Sequence, residues 1–287
     1  MPDFRVRLDN GPLLGDGAMG TELLGRGASL KRPLAVLNIE RPEWVAAVHR
    51  AYVEAGSDLI ITNTFSANAG FLAEANLGHQ VQALNRAGVE IARDAAGPGV
   101  LVLGGLGPSG AEFPPTGEDP AGVRDLFCEQ VDALAAAGVD ALILETFFDL
   151  RETLLALDAA RGSGLPVIAS MTFAVRPDGV FTFMDDAAAD CARALTERGA
   201  DVIGANCTVS VDGMEAVALA LGGATRLPLM LQPNAGQPEI VDGCARYHET
   251  PAHFAAGCKK LADDGARILG GCCGTTPAFI RALRGVC

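Results

Sequence analysis

The sequence predicts an α/β protein folded as a single (β/α)8 TIM barrel. Two kinds of short apolar run alternate along its 287 residues, one entered through a glycine and the other through a proline. Segments with helical spacing of apolar residues separate the runs. Continuous apolar runs that alternate with helices are typical of a parallel sheet buried on both faces. Strand–helix pairs of this number in a chain of this length favour a closed barrel, and we expect one domain over residues 1–287.

Four of the runs share a pattern in which a glycine caps a helix and a short polar step leads into a strand. They are EAGSDLIITNTF (54–65), AAGVDALILETF (136–147), ERGADVIGANC (197–207) and DDGARILGGCC (263–273). Their capping glycines are Gly56, Gly138, Gly199 and Gly265. The intervals of about 60 to 80 residues are long enough for two strand–helix units, so we expect these runs to be the even-numbered strands.

The other four runs each open with a proline, which is tolerated where a strand begins although it cannot donate to a sheet ladder. They are PLLGDG from Pro12, PGVLVLGGLGP from Pro98, PVIASMTF from Pro166 and PLMLQPNAG from Pro228. Capping side chains followed by proline predict three helix starts, at Asp119-Pro120, Thr250-Pro251 and Thr276-Pro277. A doubly wound open sheet is the alternative fold, but the sequence contains no G-x-G-x-x-G or phosphate-loop motif.

The net charge of −13 at pH 7 argues against nucleic acid or an anionic membrane as a partner. No run approaches the roughly 18 apolar residues of a membrane span, and residues 1–17 lack the apolar stretch of a secretion signal. These features predict a cytoplasmic protein whose eight cysteines stay reduced. An even number of cysteines also allows a disulfide framework, but a chain of this size does not need one.

Three cysteines lie where the sixth and eighth predicted strands end, at the side of a barrel where active sites form. Cys207 ends the run ANC, and Cys272 and Cys273 stand together in LGGCCGTTP (269–277). Neighbouring side chains of a strand point to opposite faces, but the glycines around the pair let the backbone leave the extended form. Both sulfurs can then reach one point, with Cys207 as the third; a strained vicinal disulfide is the alternative. Packed thiols are expected at the cysteines within helices, Cys128, Cys191 and Cys258.

Three thiolates with a vacant fourth position are typical of a catalytic zinc site, because structural zinc usually has four protein ligands. The side-chain oxygen of Asn234 is a hypothesis for the fourth ligand before substrate binds. Thiolate ligands leave the site with a net negative charge, which keeps a bound substrate sulfur electron-rich. The pattern therefore predicts a zinc-bound thiolate that attacks an electrophilic carbon, rather than water activation. No role is expected for the histidines, which lie away from the strand ends: His49, His79, His248 and His253.

Two carboxylates end otherwise apolar strands, Asp16 in GDGAMGTE and Glu145 in LETFFD. Burying a carboxylate without a partner is costly, so we expect the pair to hold a substrate ammonium group. The alternative is that both accept hydrogen bonds from loop amides. The turn that follows Asp16 offers backbone amides to a substrate carboxylate. The full set of candidate substrate-binding residues is Asp16, Gly17, Ala18, Glu145, Asn206 and Asn234. Residues 107–120 are expected to form a loop over the barrel mouth.

Taken in order, these motifs resemble those of the zinc-dependent homocysteine S-methyltransferases. The motifs are GDGAMGTELLGRG, ITNTFSAN, GLGPSG, LILETFFD, ANC, QPNAG and GGCCGTTP, and they cover essentially the whole chain. The chain is most similar to the homocysteine-binding barrel of cobalamin-dependent methionine synthase. The resemblance implies that Cys207, Cys272 and Cys273 hold zinc, that homocysteine binds as a thiolate, and that methionine is the product. It also implies that Asp16 and Glu145 grip the amino group and that Asn234 lies near the metal.

The methyl donor that the resemblance implies is methylcobalamin, carried by a separate corrinoid protein or by a module missing from the chain. The sequence itself has no D-x-H-x-x-G cobalamin-binding motif. S-methylmethionine or betaine is the alternative donor, because a negative zinc–thiolate centre also suits a cationic methyl donor. Residues 183–185, where relatives often carry a glycine-containing turn, depart from the family pattern at the mouth. Two further alternatives are a non-catalytic zinc- or thiol-binding protein and a zinc hydrolase, which the all-sulfur ligand set disfavours.

Overall fold

The predicted (β/α)8 barrel is confirmed. The computed structural model describes residues 3–110, 120–241 and 244–287. Within these ranges the strands are β1 (Leu13–Leu14), β2 (Leu59–Ile61), β3 (Leu101–Leu106), β4 (Ala141–Phe147), β5 (Val167–Met171), β6 (Ala174–Arg176), β7 (Gly179–Phe181), β8 (Val202–Ser210), β9 (Leu229–Asn234), β10 (Glu239–Val241), β11 (Cys244–Arg246) and β12 (Ile268–Leu269). Eight of them form one parallel sheet in the order β1-β12-β9-β8-β5-β4-β3-β2.

Helices pack around the outside of this sheet. Over the described residues they are α1 (Phe4–Asp9), α2 (Met19–Gly25), α3 (Leu37–Glu40), α4 (Pro42–Ala55), α5 (Ala69–Glu74), α6 (Val81–Ala96), α7 (Pro120–Ala137), α8 (Leu150–Arg161), α9 (Ala188–Glu197), α10 (Val211–Gly222), α11 (Pro251–Asp263) and α12 (Pro277–Arg284), with short 3-10 turns at Leu34–Val36 and Gly78–Gln80. In the part of the chain that is described, no helix has the length and apolar character needed to cross a membrane.

The glycine-capped strand entrances have the local geometry that the sequence predicts. The backbone is left-handed at all four glycines, with φ of +106° at Gly56, +88° at Gly138, +91° at Gly199 and +108° at Gly265. Glycine adopts this conformation without the steric penalty that a Cβ brings. Thr250 also caps α11 as predicted, because its side chain accepts the His253 N–H. The predicted Asp119 cap and most of the loop 107–120 lie outside the described residues.

Two antiparallel hairpins at the barrel mouth were not predicted. Strands β6 and β7 pair after β5, and β10 and β11 pair after β9. The local signal for the first is the dipeptide Asp178-Gly179, which is typical of a tight hairpin turn. Both insertions follow a strand of the barrel, so they add walls around the mouth without changing the order of the sheet.

The N-terminal helix α1 closes the opposite end of the barrel. Phe4 and Leu8 are buried in the same apolar cluster as residues of the strands, among them Leu59, Leu101 and Ile268. Ion pairs at the strand entrances secure the helix, with Arg5 bonded to Asp201 at 2.8 Å and Arg7 to Asp58 at 3.3 Å. No role for this segment was predicted from the sequence. In the structure it covers the end of the barrel where the strands begin.

Aspartates at the strand entrances tie neighbouring strands together. The carboxylates of Asp58, Asp140 and Asp201 accept the backbone N–H groups of Leu14, Val102 and Val167, at 2.7 to 2.9 Å. The first of these bonds joins β1 to β2, the two strands that end the sheet order, and Asp58 N–H also donates to Leu14 O at 2.7 Å. The barrel is therefore closed at its seam by an aspartate.

Candidate metal and substrate site

The three cysteines that the sequence singles out come together at the mouth of the barrel. Cys207 lies in β8, while Cys272 and Cys273 follow β12 directly. Their sulfurs all lie within 4.8 Å of one another, and the Cys207 and Cys273 Sγ atoms are 3.7 Å apart. One metal ion can therefore reach all three sulfurs. The packed thiols are elsewhere: Cys191 and Cys258 are buried in helices, and Cys128 is half-buried.

The backbone leaves the extended form on both strands to achieve this. Cys207 and Thr208 have φ of +65° and +56°, which is strained for residues with a side chain. On the other strand Gly274 has φ of +81°, and a Cβ there would collide with the ring of Tyr247. The sequence predicts the glycine part of this arrangement, but nothing local marks Cys207 as left-handed.

In the metal-free protein the three sulfurs share protons. Hydrogen bonds from Cys272 and Cys273 lower the pKa of Cys207 well below its usual value, so that it ionises first. Donation to the Cys207 sulfur raises the pKa of both of its partners. A divalent cation that prefers thiolates would replace these protons, because a metal ligand must be deprotonated. The donor set therefore fits zinc, with three sulfurs and an open position.

Asn206 connects strands around the three cysteines through hydrogen bonds of its side-chain amide. Its Oδ1 accepts from the Thr146 N–H at 2.9 Å and from the Ser170 hydroxyl at 2.7 Å. Its Nδ2 donates to Thr146 Oγ1 at 2.6 Å and lies 3.7 Å from the Cys272 sulfur. These contacts occupy the amide and favour a positioning role, so direct contact with substrate stays a prediction.

Asn234 lies beside the three sulfurs, and its side-chain oxygen is available to a metal ion. Its side chain is near enough to Cys207 to help lower the pKa of that thiol. Its Oδ1 is buried and has no hydrogen-bond partner among the described residues. Buried oxygen atoms are normally satisfied, so this atom is a candidate fourth ligand, as the sequence analysis suggests. Neither Asn234 nor Asn206 lines the main cavity.

Asp16 and Glu145 face the same cavity as the sulfurs. Asp16 is almost fully buried, and its Oδ2 accepts the Ile61 N–H at 2.9 Å across the seam between β1 and β2. Burial raises the pKa of Asp16 well above its usual value, and it raises that of Glu145 to about 7, with Cys207 as the second cause. Within residues 3–110, 120–241 and 244–287, no cationic side chain offsets either shift. The two acids are therefore arranged to receive a cation from outside the chain.

The turn after Asp16 is partly engaged by the protein itself. The Ala18 N–H donates to Thr275 Oγ1 at 3.1 Å, so this amide already has a partner. Gly17, Met19 and Gly20 line the cavity beside it, and α2 begins at Met19. The first amides of a helix lack acceptors within the helix, so they are additional candidates for a substrate carboxylate.

The cavity that holds the sulfurs has a volume of about 690 Å³. Its lining also includes Lys31, Phe65, Phe71 and Glu74, and the two aromatic rings lie 6.2 Å apart. These residues were not predicted from the sequence, although Phe65 belongs to a quoted motif. Tyr247 was not predicted either; its phenol lies near Cys273, and its ring packs against Gly274. No local pattern marks Tyr247, since β11 and the hairpin fold bring it to the site. No histidine lines the cavity within the described ranges.

The molecule is thus a (β/α)8 barrel that gathers three thiols able to hold one metal ion, with two carboxylates, at its mouth. The chain belongs to the homocysteine S-methyltransferase family, whose family model matches residues 13–287.

Three relatives illustrate this membership. The methionine synthase of Mycobacterium tuberculosis (strain ATCC 25618 / H37Rv) is 33% identical over 291 residues, covering 94% of this chain. The chain spans only 24% of the length of that relative. The S-methylmethionine–homocysteine S-methyltransferase BHMT2 of Pongo abelii is 31% identical over 299 residues, covering 96% of this chain and 79% of the relative. The metallated form of the homocysteine methyltransferase MmuM from Escherichia coli superposes with a TM-score of 0.81 at 30% identity, covering 99% of both chains.

Proposed function

We propose that this chain methylates the thiol of L-homocysteine, with zinc as the cofactor and methionine as the product. The observation that carries the proposal is the meeting of three sulfurs within 4.8 Å beside the buried Asp16 and the half-buried Glu145. Neither carboxylate has a cationic partner among the described residues. Homocysteine carries a thiol for the first group and an ammonium for the second. We propose residues 1–287 as one homocysteine-binding barrel domain. A centre of reduced thiolates also suits the cytoplasmic setting that the sequence predicts.

In this mechanism Cys207, Cys272 and Cys273 hold the zinc. A zinc ion held there would lower the pKa of the homocysteine thiol, so that the thiol would release its proton to solvent and be a nucleophilic thiolate at neutral pH. Asp16 and Glu145 bind the substrate ammonium, which restores their ionised forms because an opposite charge favours the carboxylate. The amides near Gly17 bind the substrate carboxylate. The S–CH3 bond then forms as the donor–CH3 bond breaks, and the electron pair of that bond leaves with the donor.

The first candidate donor is methylcobalamin carried by a corrinoid protein or module, as the likeness to methionine synthase suggests. A small onium donor, S-methylmethionine or betaine, is the second candidate. The volume of the cavity and the two aromatic rings and Glu74 in its lining support the second, while Lys31 in the same lining opposes it. Aromatic faces and a carboxylate both attract a positively charged donor.

Incubating the zinc-loaded protein with homocysteine and each donor separately distinguishes these candidates. Methionine formed only with methylcobalamin supports the first, and methionine formed only with an onium donor supports the second. If no donor yields methionine, the proposal of methyl transfer is wrong. Replacing Asp16 by alanine distinguishes an enzyme from a plain thiol-binding protein, since only the enzyme needs the ammonium contact for homocysteine affinity.

The metal ligands are tested by Cys273→Ser. We expect bound zinc to fall far below one ion per chain and methionine formation to be lost, because serine is a poor zinc ligand. Cys128→Ser is the matched control, since this half-buried thiol lies on helix α7 away from the site. Zinc content by atomic absorption is the measurement. Full zinc occupancy in Cys273→Ser would contradict the assignment.

A further inference from the structure

We propose that Tyr52 and Thr275 form a clasp between the loop that carries Asp16 and the loop that carries Cys272, and that the clasp selects the length of the thiol substrate. Both are positioning residues, which act on substrate through the loops that they join. The inference rests on the proposed function, in which the ammonium binds at Asp16 and the thiol binds at the metal.

Tyr52 reaches both loops from helix α4. Its ring is fully buried, and its hydroxyl lies 3.2 Å from the carbonyl oxygen of Ala18 and 3.1 Å from that of Thr275. A phenol has one proton, so the two carbonyls share a single donor. Ala18 follows Asp16 by two residues, and Thr275 follows the cysteine pair at the same distance. The hydroxyl thus holds the two functional loops at one point.

Thr275 makes the second link. Its Oγ1 accepts the Ala18 N–H at 3.1 Å and donates to the Cys272 carbonyl at 2.7 Å. The residue is fully buried, so these bonds do not compete with water. One hydroxyl therefore connects the backbone after Asp16 to the backbone of a metal ligand.

The clasp begins where the sheet ladder ends. Strands β1 and β12 pair over only two residues each, with Leu14 opposite Leu269 as the last pair. Two further backbone bonds follow, from Gly15 N–H to Leu269 O at 2.7 Å and from Gly271 N–H to Asp16 O at 2.8 Å. Beyond these bonds, the side-chain hydroxyls of Tyr52 and Thr275 connect the two segments in place of backbone ladder bonds.

Packing around the clasp leaves little room for the loops to shift. A Cβ added to Gly17 would lie 2.7 Å from Thr275 Oγ1 and 2.9 Å from the Tyr52 hydroxyl, closer than real Cβ contacts. Two hydroxyl groups and one glycine therefore help to fix how far the loop that carries Asp16 lies from the loop that carries Cys272, in addition to the backbone bond from Gly271 N–H to Asp16 O. Homocysteine must span this distance with both ends bound. Cysteine is one methylene shorter, and a difference of one methylene is commonly worth about 10- to 200-fold in a fixed site.

The test measures dissociation constants of homocysteine and cysteine by calorimetry on the zinc-loaded protein, without any methyl donor. Wild type is compared with Tyr52→Phe, Thr275→Val and Thr275→Ser. We expect the first two to lower the preference for homocysteine over cysteine about fivefold or more, since each loses hydrogen bonds that fix the loops. Thr275→Ser keeps the hydroxyl and should keep the preference. Thr196→Val, which removes a threonine hydroxyl on helix α9, is the matched control and should behave as wild type.

Thermal unfolding of each variant separates positioning from general destabilisation. A lower Tm with an unchanged homocysteine-to-cysteine ratio in Tyr52→Phe and Thr275→Val overturns the proposal. A wild type without preference for homocysteine, or a Thr275→Ser as unselective as Thr275→Val, overturns it as well. Selective homocysteine binding without methionine formation from any donor would instead refute the proposed function and leave the clasp standing.

Discussion

At the scale of single residues, Glu145 shows that the site is built for a ligand rather than for stability. The residue is half-buried near Cys207, and no cationic side chain in the described part of the chain compensates its carboxylate. An ionised carboxylate in such a place destabilises the empty protein, because burial favours the neutral form. An ammonium group that binds there removes the cost, so the energy stored in the empty site contributes to substrate affinity.

We therefore predict that Glu145 makes the metal-free protein less stable as the pH rises. Its pKa is raised from 4.5 to about 7 by folding, so its effect is absent below pH 4.5, and stability is lost as the pH rises through 7. In Glu145→Gln this loss, on the order of 2 to 3 kcal/mol, should disappear. Urea unfolding from pH 4.5 to 8 in the presence of a chelator measures it. Glu90→Gln, an exposed residue, is the control. Parallel pH profiles for wild type and Glu145→Gln would show that the carboxylate is not buried as described.

At the scale of elements, helix α7 has one glycine in its first turn and another directly after its last residue, in different backbone conformations. Gly138, just after the helix, has φ of +88°, and Gly122 lies within the first turn without a positive φ. Among the described residues, a Cβ at either position would meet no heavy atom within 4 Å. The two sites therefore differ in backbone conformation and not in packing.

We predict opposite effects of alanine at these two positions. Gly138→Ala should lower the free energy of unfolding by about 1 kcal/mol, because the left-handed conformation disfavours a Cβ. Gly122→Ala should raise it by up to about 1 kcal/mol, since alanine is the better helix former. Urea denaturation measures both. Equal effects of the two substitutions would mean that the capping glycine is not what turns the chain into β4.

Helix α1 is the element whose loss should lower the free energy of unfolding most without changing the functional site. Phe4 is 2% exposed within the barrel end, so we predict that Phe4→Ala lowers the free energy of unfolding by about 3 kcal/mol. Val6, 55% exposed on the same helix, supplies the control Val6→Ala. Zinc content of the folded Phe4→Ala protein should equal that of wild type. Loss of zinc would show that the two ends of the barrel are coupled.

At the scale of the whole molecule, stability and function occupy opposite ends of the barrel, as is usual for this fold. Aspartates, arginines and helix α1 secure the end where strands begin. The end where strands finish carries the strained backbone of Cys207 and Thr208, the buried Asn234 oxygen and the Asp16 carboxylate. In the described part of the chain, that oxygen has no hydrogen-bond partner and that carboxylate has no cationic partner. Substitutions at the first end are therefore expected to act on folding, and substitutions at the second on binding.

The same division explains what the sequence could predict. The eight barrel strands were predictable because each is announced locally by a proline or a capping glycine, and Cys207, Cys272 and Cys273 because they end such strands. Three features were not predictable: the left-handed backbone of Thr208, the position of Tyr247 beside the cysteine pair, and the burial of Phe4 in the end of the barrel. These features depend on which segments distant in the sequence pack together, and the residues next to them in the sequence carry no pattern that predicts this packing. Ala18 is an intermediate case, because its turn was predicted but its engagement by Thr275, more than 250 residues away, was not.

Removing the metal should affect only one end of the molecule. Under the proposed function zinc would bind the folded site in preference to the unfolded chain, so its removal should lower Tm. Removal would also leave Cys207 and Thr208 in strained conformations without the metal–sulfur bond that would hold them. We predict faster amide hydrogen exchange around residues 205–209 and 270–275 after chelation, with little change in α1 and at the entrances of β3 and β5. Cys273→Ser should show the faster pattern with or without added zinc. Exchange that rises equally over the whole barrel would mean that the metal holds the entire fold together, and the separation of the two ends would then be wrong.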